Sequence, residues 1–214
     1  MDKDKLKVLR VKLRSLTASF RQIGFITGYQ PTLPVPPLST IFGIISAAKG
    51  EFIQLDETKV GYIFKNKSKA VDLEKIYQVT GDFGFNENIL KREFFYDNEL
   101  YLYLTNLGLE KYFRNPRFQL LIGRSSDLAY IEEIKSIDIL KKDKLVYSGT
   151  ILPENIRLPG MKSALPSYFI DSIPRKPAGI KPFLLIGHNI ECNYNLGGFI
   201  DEELDYGVYL HDFT

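Results

Sequence analysis

The residues best suited to chemistry lie near the start of the chain, where basic side chains precede a proline-rich loop and the start of a helix. Apolar and basic positions alternate over residues 6–16, which predicts a half-buried strand with Arg14 and other basic side chains on its outer face. Four prolines stiffen residues 31–37, and Ser39 follows in the first turn of the predicted helix. Exposed N–H groups and the helix dipole favour an anion there. This segment indicates a nucleic-acid-binding protein, although lysines on an edge strand also serve to prevent edge-to-edge pairing.

The charge of the chain is unevenly distributed along the sequence. The net charge is only +2, yet residues 1–50 carry eight basic and two acidic side chains, and residues 182–214 carry six acidic side chains without any Lys or Arg. This distribution predicts a basic face and a separate acidic face. No apolar run is long enough to span a membrane, and the first residues lack the apolar core of a signal peptide. We therefore expect a cytoplasmic protein that makes no membrane contact.

The hydrophobic pattern predicts the first elements of the fold. A helix is expected from about Pro37, which suits a first turn, to Gly50, which suits a C-cap. Residues 59–65 have the pattern of a short strand. The polar stretch 66–90 that follows is either a protruding hairpin or a partly disordered loop, and long excursions of this kind often carry function.

The second half of the predicted domain completes a known order of elements. Residues 90–104 alternate strongly and form either two strands or one strand with a central bulge. A short helix over 107–113 and a buried strand over 119–122 follow. The order βαββαβ is that of a ferredoxin-like, RRM-like α+β domain, a scaffold that many RNA-binding modules use. We predict this domain for residues 1–140 and a β-rich region for residues 141–214.

A turn and a loop could add contacts to a nucleic acid. The turn at residues 123–127 places backbone N–H groups beside Arg124 and Ser125, which suits a phosphate or a carboxylate. The alternative is an ordinary turn in which Asp127 caps the segment that follows. The loop before the proline-rich segment contains aromatic side chains that either stack on unpaired bases or anchor the loop in the core. These aromatic residues are Phe20, Phe25 and Tyr29.

The usual signatures of nucleotide and metal enzymes are missing from the sequence. It contains no Walker A motif, no dinucleotide fingerprint, no HExxH and no paired CxxC. His188 and His211 lie in the acidic C-terminal third, far in sequence from the basic strand, where ordinary core or surface roles are expected. Cys192 is the single cysteine, so an intrachain disulfide is excluded, and it fits a small buried side chain. We therefore expect no cofactor, no metal and no catalytic residue.

Three segments together resemble a known family. They are RSLTASFRQ followed by PTLPVPPLSTIFGIISAAKGE, then LKREFFYDNELYLYL, and then PRFQLLIGRSSDLAYI. This arrangement resembles the CRISPR-associated protein 5 family of the RAMP superfamily, whose members hold the 5′ end of the guide RNA in type I Cascade complexes. The resemblance runs from about residue 8 to residue 131, and the length of the chain suits the type I-B-like members.

The resemblance implies both a fold and a role. It implies a ferredoxin-like core, a protruding thumb hairpin within about residues 66–100, and a β-rich C-terminal part. It also implies an antiviral subunit that binds the 5′ handle of the guide RNA and caps the row of Cascade backbone subunits beside the large subunit. Such a subunit would meet target DNA only through the assembled complex. The RNA contacts expected on this hypothesis are Arg14, Ser19, Arg21, Tyr29, Ser39, Lys91, Arg92, Arg124 and Ser125.

Two other functions stay open at the level of sequence. Some family members cut precursor RNA with a Tyr, Lys and His set, but this sequence has no His near its basic strand and no Lys-His pair. The alternative is therefore a metal-independent endoribonuclease that uses His188 or His211. A third hypothesis is a protein-interaction module that acts through the acidic C-terminal residues.

Overall fold

The computed structural model of the chain describes residues 4–22, 24, 28–80, 84–194 and 196–213. Strands dominate this part of the chain, and helices are few, as an α+β protein requires. The first elements are β1 (Lys5–Ala18), β2 (Tyr29–Gln30), α1 (Leu38–Lys49), β3 (Val60–Thr80) and β4 (Gly84–Leu104). A 3₁₀ turn (Leu107–Leu109) then runs into α2 (Glu110–Arg114), which is followed by β5 (Leu120–Leu121) and β6 (Leu128–Lys141).

The described residues after β6 form seven strands of 3 to 11 residues. They are β7 (Leu145–Tyr147), β8 (Thr150–Pro153), β9 (Met161–Ile170), β10 (Lys176–Ile186), β11 (Ile190–Cys192), β12 (Phe199–Asp201) and β13 (Tyr206–Val208). Strands β8, β10 and β9 form a separate antiparallel sheet, whereas β12 and β13 extend the main sheet beyond β6. The domain boundary at residue 140 stays a prediction, and the main sheet contains strands from both sides of it.

The main sheet is built around β1, which pairs antiparallel with β6 on one side and with β4 on the other. Strand β4 pairs antiparallel with β3, so the four long strands lie in the order β6-β1-β4-β3. The two residues of β2 add a short parallel pairing to β4 at Lys91 and Arg92. This pairing brings the loop after β1 back onto the outer part of β4.

Helix α1 has the bounds that the sequence predicts. It begins after Pro37 and ends at Gly50, whose left-handed φ of 89° and N–H bond to the Ser46 carbonyl close the last turn. Its apolar face, which includes Leu38 and Ile45, packs on the sheet, and side chains from the β8-β10-β9 sheet belong to the same core. The helix therefore lies between two sheets and is buried because of its packing, whatever the function of its first turn.

One long hairpin covers both the predicted short strand and the polar stretch after it, for which a protruding hairpin is one of the two sequence interpretations. Strands β3 and β4 keep one register from Val60 opposite Leu104 to Thr80 opposite Gly84. Strand β4 is continuous, and its predicted central irregularity is Asp97, which has a left-handed φ of 53° and no cross-strand partner in β1. The outer part of the hairpin is a two-stranded ribbon within the predicted 66–100 range, and its tip, residues 81–83, lies outside the described residues.

Candidate nucleic-acid interface

A buried carboxylate organises the place where the loop after β1 meets the hairpin. Glu93 of β4 is only 9% exposed, and it accepts hydrogen bonds from the Tyr29 hydroxyl, the Thr32 N–H (3.1 Å) and the Lys69 ammonium (3.0 Å). Burial works against its ionisation, but these hydrogen bonds outweigh burial and lower the pKa of Glu93 below its ordinary value. Glu93 therefore carries a negative charge that fixes the loop onto the sheet.

The same loop is fastened at its other end by backbone and hydroxyl groups. Ser19 is buried and donates its hydroxyl hydrogen bond to the Glu93 carbonyl at 2.8 Å. The Phe20 N–H donates to the Thr32 hydroxyl at 2.8 Å, and the Leu33 N–H donates to the Phe20 carbonyl at 2.7 Å. The Ser19 hydroxyl is thus occupied by the fold, so its predicted contact with RNA would have to replace an internal hydrogen bond.

Three of the predicted site residues are exposed at this place. The backbone of Arg21 forms an isolated antiparallel β-bridge with Thr32, and Tyr29 lies opposite Lys91 in the β2–β4 pairing. Tyr29 is 39% exposed, and neither Arg21 nor Lys91 forms an ion pair with any residue that the structure describes. We call this group, Ser19, Arg21, Tyr29, Lys91 and Glu93, the loop–hairpin junction. Within the described residues, it presents two cations without an acidic partner and one accessible aromatic ring.

The turn at residues 123–127 packs against the junction through its first residue. Gly123 has a φ of 122°, and a Cβ on it would lie 2.3 Å from the Ser19 carbonyl oxygen, so the close approach requires glycine. Fully buried Asp127 accepts hydrogen bonds from the Arg124 N–H at 2.8 Å, from the Arg124 guanidinium, and from the Thr17 hydroxyl at 2.7 Å. Asp127 thus closes the turn on itself and pairs with Arg124. Ser125 is exposed.

Arg92 also has an internal partner. Its Nε donates to the Glu74 carboxylate across the hairpin, and its guanidinium is largely buried by this contact. Arg92 therefore follows Lys91 in β4, but its positive charge is neutralised by Glu74 of the same chain.

The prediction of a bare basic face on β1 is wrong. Arg14 donates to Asp97 at 3.1 Å and to Glu132 at 3.3 Å, so carboxylates from β4 and β6 neutralise it on both sides. Arg10 is buried and donates to Asp201 at 2.8 Å and to Glu203 at 2.7 Å. The physical reason is the tertiary structure: the strands beside β1 bring acids next to Arg14, and the C-terminal segment brings two acids to Arg10.

The separate acidic face is wrong for the same reason. Asp201 and Glu203 belong to the acidic C-terminal segment, yet both pair with the first strand, and Lys59 pairs with Asp212. The opposite charges of the two ends of the sequence therefore meet inside one molecule. Their role is intramolecular attraction between distant segments.

Ser39 lies apart from the junction. The segment before α1 is tied to β3, since the Tyr62 hydroxyl donates to the Pro36 carbonyl, and to the C-terminal region, since Gly187 lies against Pro34. Ser39 itself is partly buried and caps nothing, because the N-cap of α1 is Pro37 without a side-chain hydrogen bond. The fold brings Ser19, Arg21, Tyr29, Lys91, Arg92, Arg124 and Ser125 to one end of the hairpin base, and it leaves Arg14 and Ser39 elsewhere.

The aromatic residues of the loop divide in the same way. Phe20 is buried, with its ring centroid 5.2 Å from that of Phe64, so it anchors the loop in the core. Tyr29 alone combines an exposed ring with a place in the junction, and Phe25 lies outside the described residues. The hydrogen bond to Glu93 raises the pKa of the Tyr29 phenol, which keeps it protonated and donating.

Sequence reasoning missed the residues that hold the junction together, above all Glu93 and Lys69. Glu93 is a single acid between Arg92 and Phe94, and its partners lie 24 to 64 residues away in the chain. Only the pairing of β2 and β3 with β4 brings them together. No local pattern in the sequence distinguishes this carboxylate from a surface acid.

The two histidines occupy different environments. His211 is buried, and its Nε2 donates to the Ile151 carbonyl at 2.9 Å. Burial lowers the pKa of His211 to about 4, so the ring is a neutral core residue. His188 is exposed, next to the Gly187 that contacts Pro34. Buried Cys192 donates its thiol to the Tyr194 carbonyl at 3.2 Å.

The described part of the chain contains neither a cluster of metal-binding side chains nor a membrane-spanning helix. Among those residues, no group of three or more His, Cys, Asp or Glu side chains is placed to hold a metal ion. No helix there is both long and apolar enough to cross a membrane.

Comparison with known proteins places this geometry in a fold. No family model and no curated protein matches the sequence. A chain of a CRISPR RNA-guided surveillance complex superposes with a TM-score of 0.58 at 14% identity, covering 86% of this chain and 91% of that one. This chain shares its fold with that chain of the CRISPR complex.

Two further solved structures agree with that likeness. A CRISPR protein from Archaeoglobus fulgidus superposes with a TM-score of 0.51 at 10% identity, over 96% of this chain and all of that one. A chain of the type III-B Cmr-beta complex bound to cognate target RNA gives 0.53 at 12% identity, over 86% of each chain. At these identities the likeness concerns the fold alone, and it covers most of this chain and of each matched chain.

Proposed function

We propose that this chain is a non-catalytic guide-RNA-binding subunit of a type I CRISPR Cascade complex, related to the type I-B-like members of the CRISPR-associated protein 5 family. It holds the 5′ handle of the guide RNA and caps the backbone subunits beside the large subunit, in antiviral defence. Target DNA reaches it through the assembled complex. The observation that carries the proposal is the loop–hairpin junction. Arg21 and Lys91 have no acidic partner there among the described residues, and exposed Tyr29 lies opposite Lys91. The fold is shared with a chain of a CRISPR RNA-guided complex.

The order of elements supports a more specific architecture. We infer that β1, α1, β3, β4, α2 and β6 form a ferredoxin-like βαββαβ core, because they follow one another in that order and the strands pair as β6-β1-β4-β3. The outer β3–β4 ribbon is then the thumb. The junction lies where this thumb leaves the core, so RNA bound there would contact both.

The chemistry of the junction suits single-stranded RNA. Free guanidinium and ammonium groups neutralise phosphates, and an accessible tyrosine ring offers a face on which an unpaired base can stack. Arg92 and Arg124 stand beside them, each already paired with a carboxylate. Because each is neutralised by its carboxylate, Arg92 and Arg124 would add little positive potential. Arg21 and Lys91, which have no acidic partner among the described residues, would make the first phosphate contacts.

A binding experiment tests the site assignment. The Arg21→Ala/Lys91→Ala double variant should bind an RNA with a repeat-derived 5′ handle at least roughly tenfold more weakly, and the slope of log K against log salt should fall by about 1.4. The matched control is Lys144→Ala/Arg157→Ala, which removes the same charge from exposed positions of the C-terminal region without breaking an ion pair among the described residues. Unchanged handle binding in the junction variant would refute the assignment.

The endoribonuclease is the second candidate, and one observation favours it. His188 is exposed beside the proline-rich loop, closer to that loop than its sequence position suggests. Repeat RNA incubated with the purified chain in EDTA should stay intact on the proposal above. Specific cleavage that disappears in His188→Ala would make the chain a processing enzyme.

A further inference from the structure

An open groove of about 480 Å³ lies beside the start of β6. It is lined by residues 113–114 of α2, residues 116–120 of the following loop, and residues 129–131 of β6. Phe118 and Tyr130 are 59% and 60% exposed, although rings of this size are usually covered in a folded protein. We call this site the aromatic groove. None of the nine RNA contacts expected from the sequence lines it.

The charge of the aromatic groove has one sign. No acidic residue lines it, and the two charged lining residues are Arg114 and Arg117. Arg114 is paired with Glu110 at 2.6 Å, whereas Arg117 forms no ion pair with any described residue. The neighbouring acid Glu132 is already held by Lys12 and Arg14. Among the described residues, the groove therefore has one guanidinium without an acidic partner and two accessible rings in its lining.

Arg117 is held in place by its backbone and its stem. Its N–H donates to the Ala48 carbonyl at 3.0 Å, at the end of α1. A Cβ on Gly50 would lie 2.7 Å from the Arg117 Cγ, so the stem packs directly on the C-cap of the helix. A guanidinium anchored in this way is ordered before a ligand arrives, which reduces the entropy cost of binding.

The aromatic groove continues the surface of the junction. Leu120 pairs with Ala129 and Leu121 pairs with Leu128, so β5 leads straight from the groove into the turn that holds Arg124. That turn contacts Ser19 of the junction through Gly123. A strand of RNA leaving the junction over this turn would reach the groove next.

We propose that the aromatic groove binds unpaired bases of single-stranded RNA, with Phe118 and Tyr130 as stacking platforms and Arg117 on a phosphate. The proposal rests on the proposed function and adds a second subsite to it. Accessible rings with a free guanidinium and no acid are the combination that sequence-tolerant single-strand binders use. An apolar peptide would instead need the rings to form a closed, uncharged pocket.

Crosslinking and titration of the full-length chain test the subsite. The probe is a mixed-sequence single-stranded RNA that carries 4-thiouridine. We expect crosslinks to peptides that contain Phe118 or Tyr130, and a roughly tenfold loss of affinity in Phe118→Ala/Tyr130→Ala with an unchanged salt slope, because stacking carries no charge. The Phe118→Tyr/Tyr130→Phe variant should retain binding. Arg117→Ala should lower the salt slope by about 0.7. Tyr194→Ala removes another exposed ring, outside the aromatic groove, and should change nothing.

The outcomes separate this subsite from the proposed function. If the wild-type chain binds no RNA, both fail. If Arg21→Ala/Lys91→Ala weakens binding but the aromatic double variant does not, and no crosslink falls in the groove, only the subsite is refuted. A groove variant that binds RNA normally but loses a protein subunit of the complex would refute the subsite in favour of a protein partner.

Discussion

Arg10 in the first strand donates a hydrogen bond to Asp201 near the end of the chain, across 2.8 Å, and both side chains are buried. The Tyr103 hydroxyl donates to the same Asp201 oxygen at 2.8 Å, and the Glu203 N–H donates to the other oxygen at 3.0 Å. This cluster joins the C-terminal strands to the middle of the main sheet. It gives Arg10 of the basic N-terminal segment and Asp201 and Glu203 of the acidic C-terminal segment a structural role.

The Arg10–Asp201 pair makes a large contribution that one substitution should expose. Asp201→Asn removes the only buried counter-charge of Arg10 among the described residues and leaves the more exposed Glu203 and Glu133, so we expect a loss of about 3 kcal/mol in the free energy of unfolding, measured with urea. Asp138→Asn breaks an exposed pair with Lys5 and serves as the control, with an expected loss below about 1 kcal/mol. Equal effects of the two variants would contradict a structural role for the buried pair.

Glu93 should give a pH-dependent contribution to stability. Its pKa is lower in the folded state than in the unfolded state, so its contribution is complete above the unfolded pKa and is lost as the pH falls through the folded one. Glu93→Gln should therefore cost about 1–3 kcal/mol at neutral pH, because Tyr29, Thr32 and Lys69 lose their common acceptor. The difference between wild type and variant in urea denaturation should shrink below about pH 4.5. A difference that persists at low pH would show that charge is not the reason.

His211 should also make stability fall as the pH falls, but over a higher pH range than Glu93. Its folded pKa of about 4 lies below the unfolded value, so the unfolded chain binds a proton first and the folded state loses stability as the pH falls from about 6.5 towards 4. The imidazole NMR signals of His211, assigned in a His188→Asn background, should remain those of a neutral ring at pH 6. A charged His211 at that pH would contradict its burial against the Ile151 carbonyl.

Two glycines offer a matched pair of substitutions. Gly123→Ala places a methyl group against the Ser19 carbonyl, so it should move the turn away from the junction, lower thermal stability and weaken handle binding. Gly43→Ala lies in α1 with open space around the new methyl group and should raise stability by roughly 0.5–1 kcal/mol. Thermal melts and RNA titrations of both proteins decide the point. Normal handle binding by Gly123→Ala would mean that the turn does not support the RNA site.

Local patterns predicted the helix and the hairpin well, but they misjudged the charges. The bounds of α1 follow from Pro37 and Gly50, which act within one turn of the chain. The neutralisation of Arg14 depends on Asp97 and Glu132, which lie 83 and 118 residues away and are aligned only by strand register. The Arg124–Asp127 pair, by contrast, spans three residues, so its alternatives were visible in the sequence. Glu93 could not be identified because its partners come from two other segments.

The most direct measurement of the central claim is the RNA that the chain holds in its own complex. The tagged chain would be expressed together with the genes that neighbour its own, and the RNA that copurifies would be sequenced from its 5′ end. We predict guide RNAs that begin with a common repeat-derived handle, and we predict their loss from the Arg21→Ala/Lys91→Ala protein. A complex that carries no RNA, or guides bound equally by that variant, would contradict the claim that the loop–hairpin junction holds the handle.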